Sequence, residues 1–226
     1  MDRTDILNRI NNSLLMNTVI KEDEASKIVY SIFRPYPAFI NSTTDLIAGC
    51  TRIDDFFVRK DADDNLILAY FPSSCYSCSE IDLGNCIDII GDYAFFGNKF
   101  LRKISGKTVK KIGKFAFEKC EKLEEVSFPS VIDVGNSSFS KCKELKGFIG
   151  CPSKIGDCAF SDCMALKALD FSSTREIGSY AFADSGIKSV VAPKLQIVYS
   201  YGFSRSKVCK FELPENVSFG VGVFDK

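Results

Sequence analysis

A short sequence signature recurs along the chain at a nearly constant interval. It consists of an aliphatic residue, glycine, two variable residues, alanine and phenylalanine, as in IGDYAF, IGKFAF and IGDCAF. Its glycine position falls at Gly91, Gly113, Gly135, Gly156, Gly178, Tyr199 and Gly220, so successive copies lie 21 or 22 residues apart. A fixed period of this length predicts a solenoid, in which each repeat forms one coil and buries its apolar edge against its neighbours.

One complete unit begins at Cys120 and indicates which positions face the core. Apolar residues follow this cysteine at Leu123, Val126, Phe128, Val131 and Val134. The segment Leu-x-x-Val-x-Phe matches the L-x-x-L-x-L core of a leucine-rich repeat, which forms a short strand of a parallel stack. The same frame predicts one such strand in each unit, with the central inward residues Ile81, Ile104, Val126, Phe148, Leu169, Val190 and Phe211.

Glycine and phenylalanine have distinct roles in the predicted coil. Glycine in the recurrent slot suits either a positive φ or a close approach between neighbouring coils. The phenylalanine of each signature is expected to fill the centre of its coil, which accounts for 20 Phe residues in a chain without Trp. Stacked coils would then build a ladder from Phe95, Phe117, Phe139, Phe160, Phe182 and Phe203.

The combined pattern I-G-x-x-A-F-x-x-C-x-x-L-x-x-V-x-F-P resembles the BspA-like, or Treponema pallidum-type, leucine-rich repeat. The resemblance covers roughly 150 residues and recurs in every coil. Members of this family are surface antigens and adhesion or host-interaction proteins, so the resemblance implies a protein-binding role. We therefore predict a right-handed leucine-rich-repeat solenoid, mainly β, with a parallel concave β-sheet, short extended and turn segments on the convex side, and an α-helical N-terminal cap.

The predicted solenoid covers residues 66–226, in about seven units of 21–22 residues, and residues 1–65 lack the repeat. Ile6, Ile10, Leu14 and Leu15 have helical spacing after Thr4, a candidate N-cap. A second helix is predicted over 21–33, because this segment begins with acidic residues and ends at an Arg-Pro-Tyr-Pro stop. Two helices and a mixed segment would form a capping region over the first coil's exposed edge.

The composition excludes several classes of function. Lys+Arg and Asp+Glu both total 29, so no net charge favours binding to nucleic acid. The chain has no His, which removes Ser-His and Cys-His nucleophile pairs and His-bearing metal sites. No phosphate loop or carboxylate dyad is visible either. We expect no enzyme activity, catalytic residue, metal or cofactor.

The sequence gives two opposing indications of the cellular compartment. The N-terminus has no uninterrupted apolar segment and no small-residue cleavage site, so it does not match a signal peptide. No apolar run reaches the roughly 18–20 residues that span a bilayer. These observations predict a cytoplasmic chain without membrane insertion, whereas the family resemblance implies the cell surface.

Ten cysteines raise the question of redox or metal chemistry. Cys75 and Cys78 have the spacing of a redox or zinc motif, but both fall on repeat slots and no second such pair completes a four-cysteine site. Cys120, Cys142 and Cys163 share one slot in successive coils. In-register side chains that point the same way suit disulfide geometry poorly, so we interpret these cysteines as buried structural thiols.

The outward positions of the predicted strands form the candidate partner-binding surface, because solenoids usually bind proteins on such a charge-patterned face. An alternative interpretation is a solvated face with cross-strand charge pairing. No aromatic cluster projects from it. The proposed contact residues are Glu80, Asp82, Arg102, Lys103, Glu124, Glu125, Lys146, Lys167, Asp170, Lys188, Lys210 and Glu212. We predict an adhesin or surface antigen that binds a host or self protein through this face; the alternative is an intracellular scaffold or adaptor.

Overall fold

The computed structural model describes residues 3–15, 50–53, 56–71 and 78–225. The second predicted helix, over 21–33, and Cys75 of the Cys75-x-x-Cys78 motif lie outside the described residues.

The described chain is a β-solenoid of about seven coils with one N-terminal helix, which confirms the predicted fold class. The helix is α1 (Arg3–Leu15). The strands are β1 (Thr51–Ile53), β2 (Phe56–Lys60), β3 (Leu66–Tyr70), β4 (Glu80–Asp82), β5 (Ile89–Ile90), β6 (Lys103–Ser105), β7 (Lys111–Ile112), β8 (Glu125–Ser127), β9 (Asp133–Val134), β10 (Gly147–Ile149), β11 (Lys154–Ile155), β12 (Glu176–Ile177), β13 (Ser189–Val191), β14 (Ile197–Val198), β15 (Lys210–Glu212) and β16 (Ser218–Phe219).

The strands form two separate sets of sheets. One sheet has ten strands in the order β1-β2-β3-β5-β7-β9-β11-β12-β14-β16, and it is parallel from β3 onward. The other set follows the L-x-x-L-x-L segments, with β4, β6, β8 and β10 in one parallel sheet and β13 and β15 in another. We number the coils 1 to 7 by these segments, so coil 1 carries β4 and coil 7 carries β15.

Coil 5 differs from the prediction, because no strand forms at residues 168–170 although Leu169 is buried as expected. In this coil, side chains accept hydrogen bonds from the backbone at the point where the strand would continue the parallel sheet. The Asp170 carboxylate accepts a hydrogen bond from the Ser172 backbone N–H at 2.8 Å, which turns the chain after Asp170. The Cys151 thiol sulfur accepts the Ser173 backbone N–H at 3.0 Å. This interruption separates β10 from β13.

The phenylalanine ladder is present as predicted. Six rings, from Phe95 to Phe203, lie parallel within about 6° at centroid separations of 4.9, 5.0, 5.1, 5.3 and 5.2 Å. All six side chains are buried. This spacing matches the distance between neighbouring coils and lies within the range of attractive aromatic pairs, so the coil period and the ring stack reinforce one another.

The recurrent glycines serve close approach between coils, not a positive φ. A Cβ placed on Gly113 would lie only 2.5 Å from the backbone nitrogen of Asp92 and 2.6 Å from the carbonyl carbon of Gly91. Positive φ angles occur instead two and six residues after the glycine slot, mostly at residues other than glycine. They are Tyr93, Phe115, Ser137, Cys158, Tyr180, Tyr201 and Gly222 in one column, and Gly97, Lys119, Lys141, Asp162, Asp184 and Arg205 in the other.

The N-terminal elements extend the stack. Ile6 and Ile10 of α1 are buried in the common core, as their helical spacing predicts. The side chains of Leu14 and Leu15 lie outside the described part of the chain. Thr4 lies inside the helix, which begins at Arg3, so the predicted N-cap role of Thr4 is wrong. β1, β2 and β3 form an antiparallel meander whose last strand pairs in parallel with β5. The role of residues 1–65 as a separate capping region stays a prediction.

Candidate functional site: the concave face

The concave face consists of the outward residues of coils 1 to 7, and strand register brings the proposed contact residues into rows. In one row, Glu80, Lys103, Glu125 and Gly147 are successive neighbours. In a second row, Asp82, Ser105, Ser127 and Ile149 are neighbours. In a third row, which precedes the strands, backbone hydrogen bonds join Arg102, Glu124 and Lys146, and a separate bond joins Lys167 and Lys188. Each row places side chains of adjacent coils within reach of one another.

A groove of about 590 Å³ lies over β4, β6, β8 and β10. Its walls are the outward side chains of these strands, and Ile81, Ile104 and Val126 contribute to its base. The face is therefore recessed over coils 1 to 4, and the groove is large enough to hold side chains of a bound partner.

Glu124 is the centre of a charge network in the first half of the concave face. Its carboxylate lies 3.0 Å from the Lys146 Nζ and 2.6 Å from the Arg102 Nη1. The hydrogen bond and charge of Lys146, followed by those of Arg102, hold the pKa of Glu124 below its usual range. Lys103 pairs with Glu125 at 3.3 Å. These exposed cations are therefore already balanced by the protein's own carboxylates.

Two further carboxylates of the face, those of Asp82 and Asp170, have a pKa lowered by local hydrogen-bond donors. The Ser105 hydroxyl donates to Asp82 at 2.7 Å, and this bond and the Gly84 backbone N–H lower the pKa of Asp82. The backbone N–H and hydroxyl of Ser172 lower the pKa of Asp170. Glu212 lies 2.7 Å from Lys210.

Lys167 and Lys188 have no ion pair among the residues that the structure describes, and both side chains are exposed.

The charges of the proposed contact residues are unevenly distributed along the stack of coils. Coils 1 to 3 carry four carboxylates and two cations: Glu80, Asp82, Glu124 and Glu125 against Arg102 and Lys103. Coils 4 to 7 carry four lysines and two carboxylates: Lys146, Lys167, Lys188 and Lys210 against Asp170 and Glu212. The twelve contact residues therefore have no net charge, but negative charge predominates in coils 1 to 3 and positive charge in coils 4 to 7.

Two exposed aliphatic side chains share the positive half of the face. Ile149 is 62% exposed and Val191 is 46% exposed. Strand alternation already placed both outward, but the sequence-based set of contact residues contained charged residues only. A third apolar residue, Phe211, departs from its predicted core slot, since it is 38% exposed on coil 7.

The cysteine column is structural, as predicted. The thiols of Cys120, Cys142 and Cys163 are buried and point at the carbonyl oxygens of Phe95, Phe117 and Phe139 at 3.0–3.1 Å. Burial raises the pKa of all three, that of Cys120 to about 12. All nine described cysteines are free, and no cluster of His, Cys, Asp or Glu within the described ranges could hold a metal ion.

Comparison with protein families identifies the repeat family of the chain. The model of the BspA type leucine-rich repeat region matches residues 66–153 and 150–226, in six copies. The chain belongs to this family. The matched residues include all seven coils described above, although the model counts six copies. Repeat families of this architecture generally serve as binding scaffolds. No match was found among curated proteins.

Solved structures share the fold of this BspA-type chain. A leucine-rich cell surface protein of Faecalibacterium prausnitzii A2-165 is 19% identical with a TM-score of 0.70; the match covers 77% of this chain and 51% of that one. The chain thus spans about half the length of that protein. The leucine-rich repeat protein of T. pallidum is 29% identical with a TM-score of 0.66, over 76% of this chain and 86% of that one. No helix in the described parts of the chain is long and apolar enough to cross a bilayer.

Proposed function

We propose that the chain is a protein-binding module that holds its partner on the concave face. The observation that carries this proposal is the recessed groove over β4, β6, β8 and β10, bordered by charged side chains from four successive coils. Solenoids create extended surfaces of this kind, and complementary charge gives such a surface specificity and fast association.

An adhesin or surface antigen is the role we favour. The similar F. prausnitzii protein is described as a cell surface protein, and the family resemblance points the same way. The competing role is an intracellular scaffold or adaptor, which the nine free cysteines favour because thiols persist in reducing compartments. Counting thiols in protein isolated under non-reducing, denaturing conditions from its native source separates the two: ten free thiols support the scaffold, and disulfides support surface display.

The concave-face assignment is tested by placing a bulky side chain in the groove. Ser127 points into the groove from β8, and Ser130 lies exposed in the turn that follows. A partner is first captured from extracts with the immobilised chain, identified and purified. Ser127→Tyr should weaken its binding at least about tenfold, since well-packed interface centres dominate affinity. Ser130→Tyr is the matched control and should change nothing. Equal binding by both variants would place the interface elsewhere.

A further inference from the structure

The two unpaired lysines of the concave face lie on adjacent coils. The Lys188 backbone N–H donates to the Lys167 carbonyl oxygen at 3.1 Å, which fixes the two residues in register. Neighbouring Lys146 is engaged by Glu124, and Lys210 is engaged by Glu212. Two like charges side by side, without a counterion from the described protein, leave a local positive potential that a negative partner would relieve.

Ile149 and Val191 lie on coils 4 and 6, each three residues after the lysine position of its coil. In the repeat frame Asp170 takes the same position on coil 5. We call Ile149, Lys167, Lys188 and Val191 the lysine–aliphatic patch. Its apolar side chains are exposed on the coil of Lys188 and on the coil before Lys167, and such a mixed surface gains from a partner that covers both.

We infer that the lysine–aliphatic patch binds an acidic segment of a partner protein that also carries aliphatic or aromatic side chains. The inference rests on the proposed protein-binding function and adds the chemistry of the partner. Carboxylates of the segment would pair with Lys167 and Lys188, while its apolar side chains would cover Ile149 and Val191. Because coils 1 to 3 have the opposite excess of charge, the partner's acidic end lies over coils 4 to 7.

Charge on the rest of the face argues against nucleic acid as the occupant. The twelve proposed contact residues include six carboxylates, and Asp170 lies within the positive half itself. A phosphate backbone requires a continuous series of cations, whereas a folded or extended peptide can place a neutral residue opposite Asp170.

A library of random peptides displayed on phage tests the inference without knowledge of the partner. Selection on the immobilised chain should enrich peptides that combine Asp or Glu with Leu, Ile, Val or Phe. The variant Lys167→Glu/Lys188→Glu should lose at least about tenfold affinity for these peptides and should itself select peptides rich in Lys and Arg. The control Lys110→Glu/Lys122→Glu makes the same change of net charge at two exposed lysines outside the patch and should behave like the wild type.

Two further variants separate this inference from the proposed function. Ile149→Ser/Val191→Ser should also weaken the selected peptides about tenfold, because the apolar half of the contact is lost. If selected peptides are blocked by Ser127→Tyr but show no acidic bias, the concave face binds and the inferred chemistry is wrong. If the selected peptides bind Ser127→Tyr and both patch variants as tightly as the wild type, the concave-face proposal fails as well. Equal or tighter binding of a single-stranded oligonucleotide would also overturn the inference.

Discussion

Arg3 and Asp88, which are 85 residues apart in the chain, form an ion pair with 2.6 Å between Nη1 and Oδ2. The same Asp88 oxygen accepts the Leu66 backbone N–H at 2.9 Å, and Arg3 also donates to the carbonyl oxygen of Cys86 at 3.3 Å. Asp88 is buried, so these donors replace the water that its side chain loses on folding. This ion pair links helix α1 to the first coil of the stack.

Removing the cation of this pair should loosen the helix. Arg3→Met leaves the buried carboxylate with one donor fewer, so we expect a loss of about 1–3 kcal/mol in the free energy of unfolding. Urea titration measures this loss, and hydrogen exchange should rise first in α1. Lys60→Met is the control, because Lys60 pairs with the exposed Asp64 and should cost less than about 0.5 kcal/mol. Equal effects would mean that Asp88 does not hold the helix.

Gly113→Ala should destabilise the stack by about 3 kcal/mol, because the new methyl would collide with backbone atoms of the preceding coil and neighbouring coils would separate. Gly147→Ala is the matched control. A Cβ on Gly147 would meet only the Glu125 side chain at 3.8 Å, an ordinary contact, so this change should be neutral or slightly stabilising. Thermal unfolding of both variants provides the comparison, and a tolerated Gly113→Ala would refute the close-approach role.

Ser138→Ala should stabilise the protein by about 1 kcal/mol. Ser138 occupies the alanine slot of coil 3, where its hydroxyl is buried without a hydrogen-bond partner. Removing an unsatisfied buried polar group eliminates its desolvation cost and leaves packing almost unchanged. Denaturant unfolding measures the gain, with the exposed Ser130→Ala expected to stay within about 0.5 kcal/mol of the wild type. A loss of stability in Ser138→Ala would contradict the assignment.

The buried thiols should make stability fall in alkaline solution. Burial raises the pKa of Cys120 from 9.0 to about 12, so above pH 9 the thiol ionises in the unfolded chain but stays protonated in the folded one. The unfolded state then holds fewer protons, and stability present below pH 9 is lost as the pH rises toward 12. Each such thiol should cost about 1.4 kcal/mol per pH unit in that window.

Cys120→Ala isolates this effect. The stability difference between the wild type and Cys120→Ala should shrink by about 1.4 kcal/mol per unit between pH 9 and pH 11. Val126→Ala, a buried truncation without a titratable group, should give a difference that does not depend on pH. A constant difference for Cys120→Ala would show that its thiol ionises equally in both states.

Much of the fold follows from the sequence because one spacing rule repeats. The interval between glycine slots fixes the coil length, and a coil length common to all units stacks Phe95 on Phe117 and Cys120 beneath Cys142. The spacing does not reveal why glycine recurs, since a positive φ and a close contact both favour glycine. The structure shows that close contact is the reason, because Gly113 lies against the Asp92 backbone of the preceding coil.

The candidate site was less accessible to sequence reasoning. Strand alternation placed Lys167 and Lys188 outward, but only side-chain distances show that Glu124 engages Lys146 and that the next two lysines lack a carboxylate partner among the described residues. The interruption at coil 5 depends on Asp170, Ser172 and the Cys151 thiol, three residues that carry no repeat signal. The exposure of Phe211 arises because no described coil covers coil 7.

Lysine footprinting on the complex tests the central claim, that the concave face is the binding surface. The chain with and without its purified protein partner is acetylated briefly, and the modification of each lysine is measured by mass spectrometry. We predict that binding protects Lys103, Lys146, Lys167 and Lys188, while Lys111 and Lys154 on the ten-stranded sheet react as in the free chain. Protection of Lys111 and Lys154 with no change at the four concave-face lysines would contradict the account.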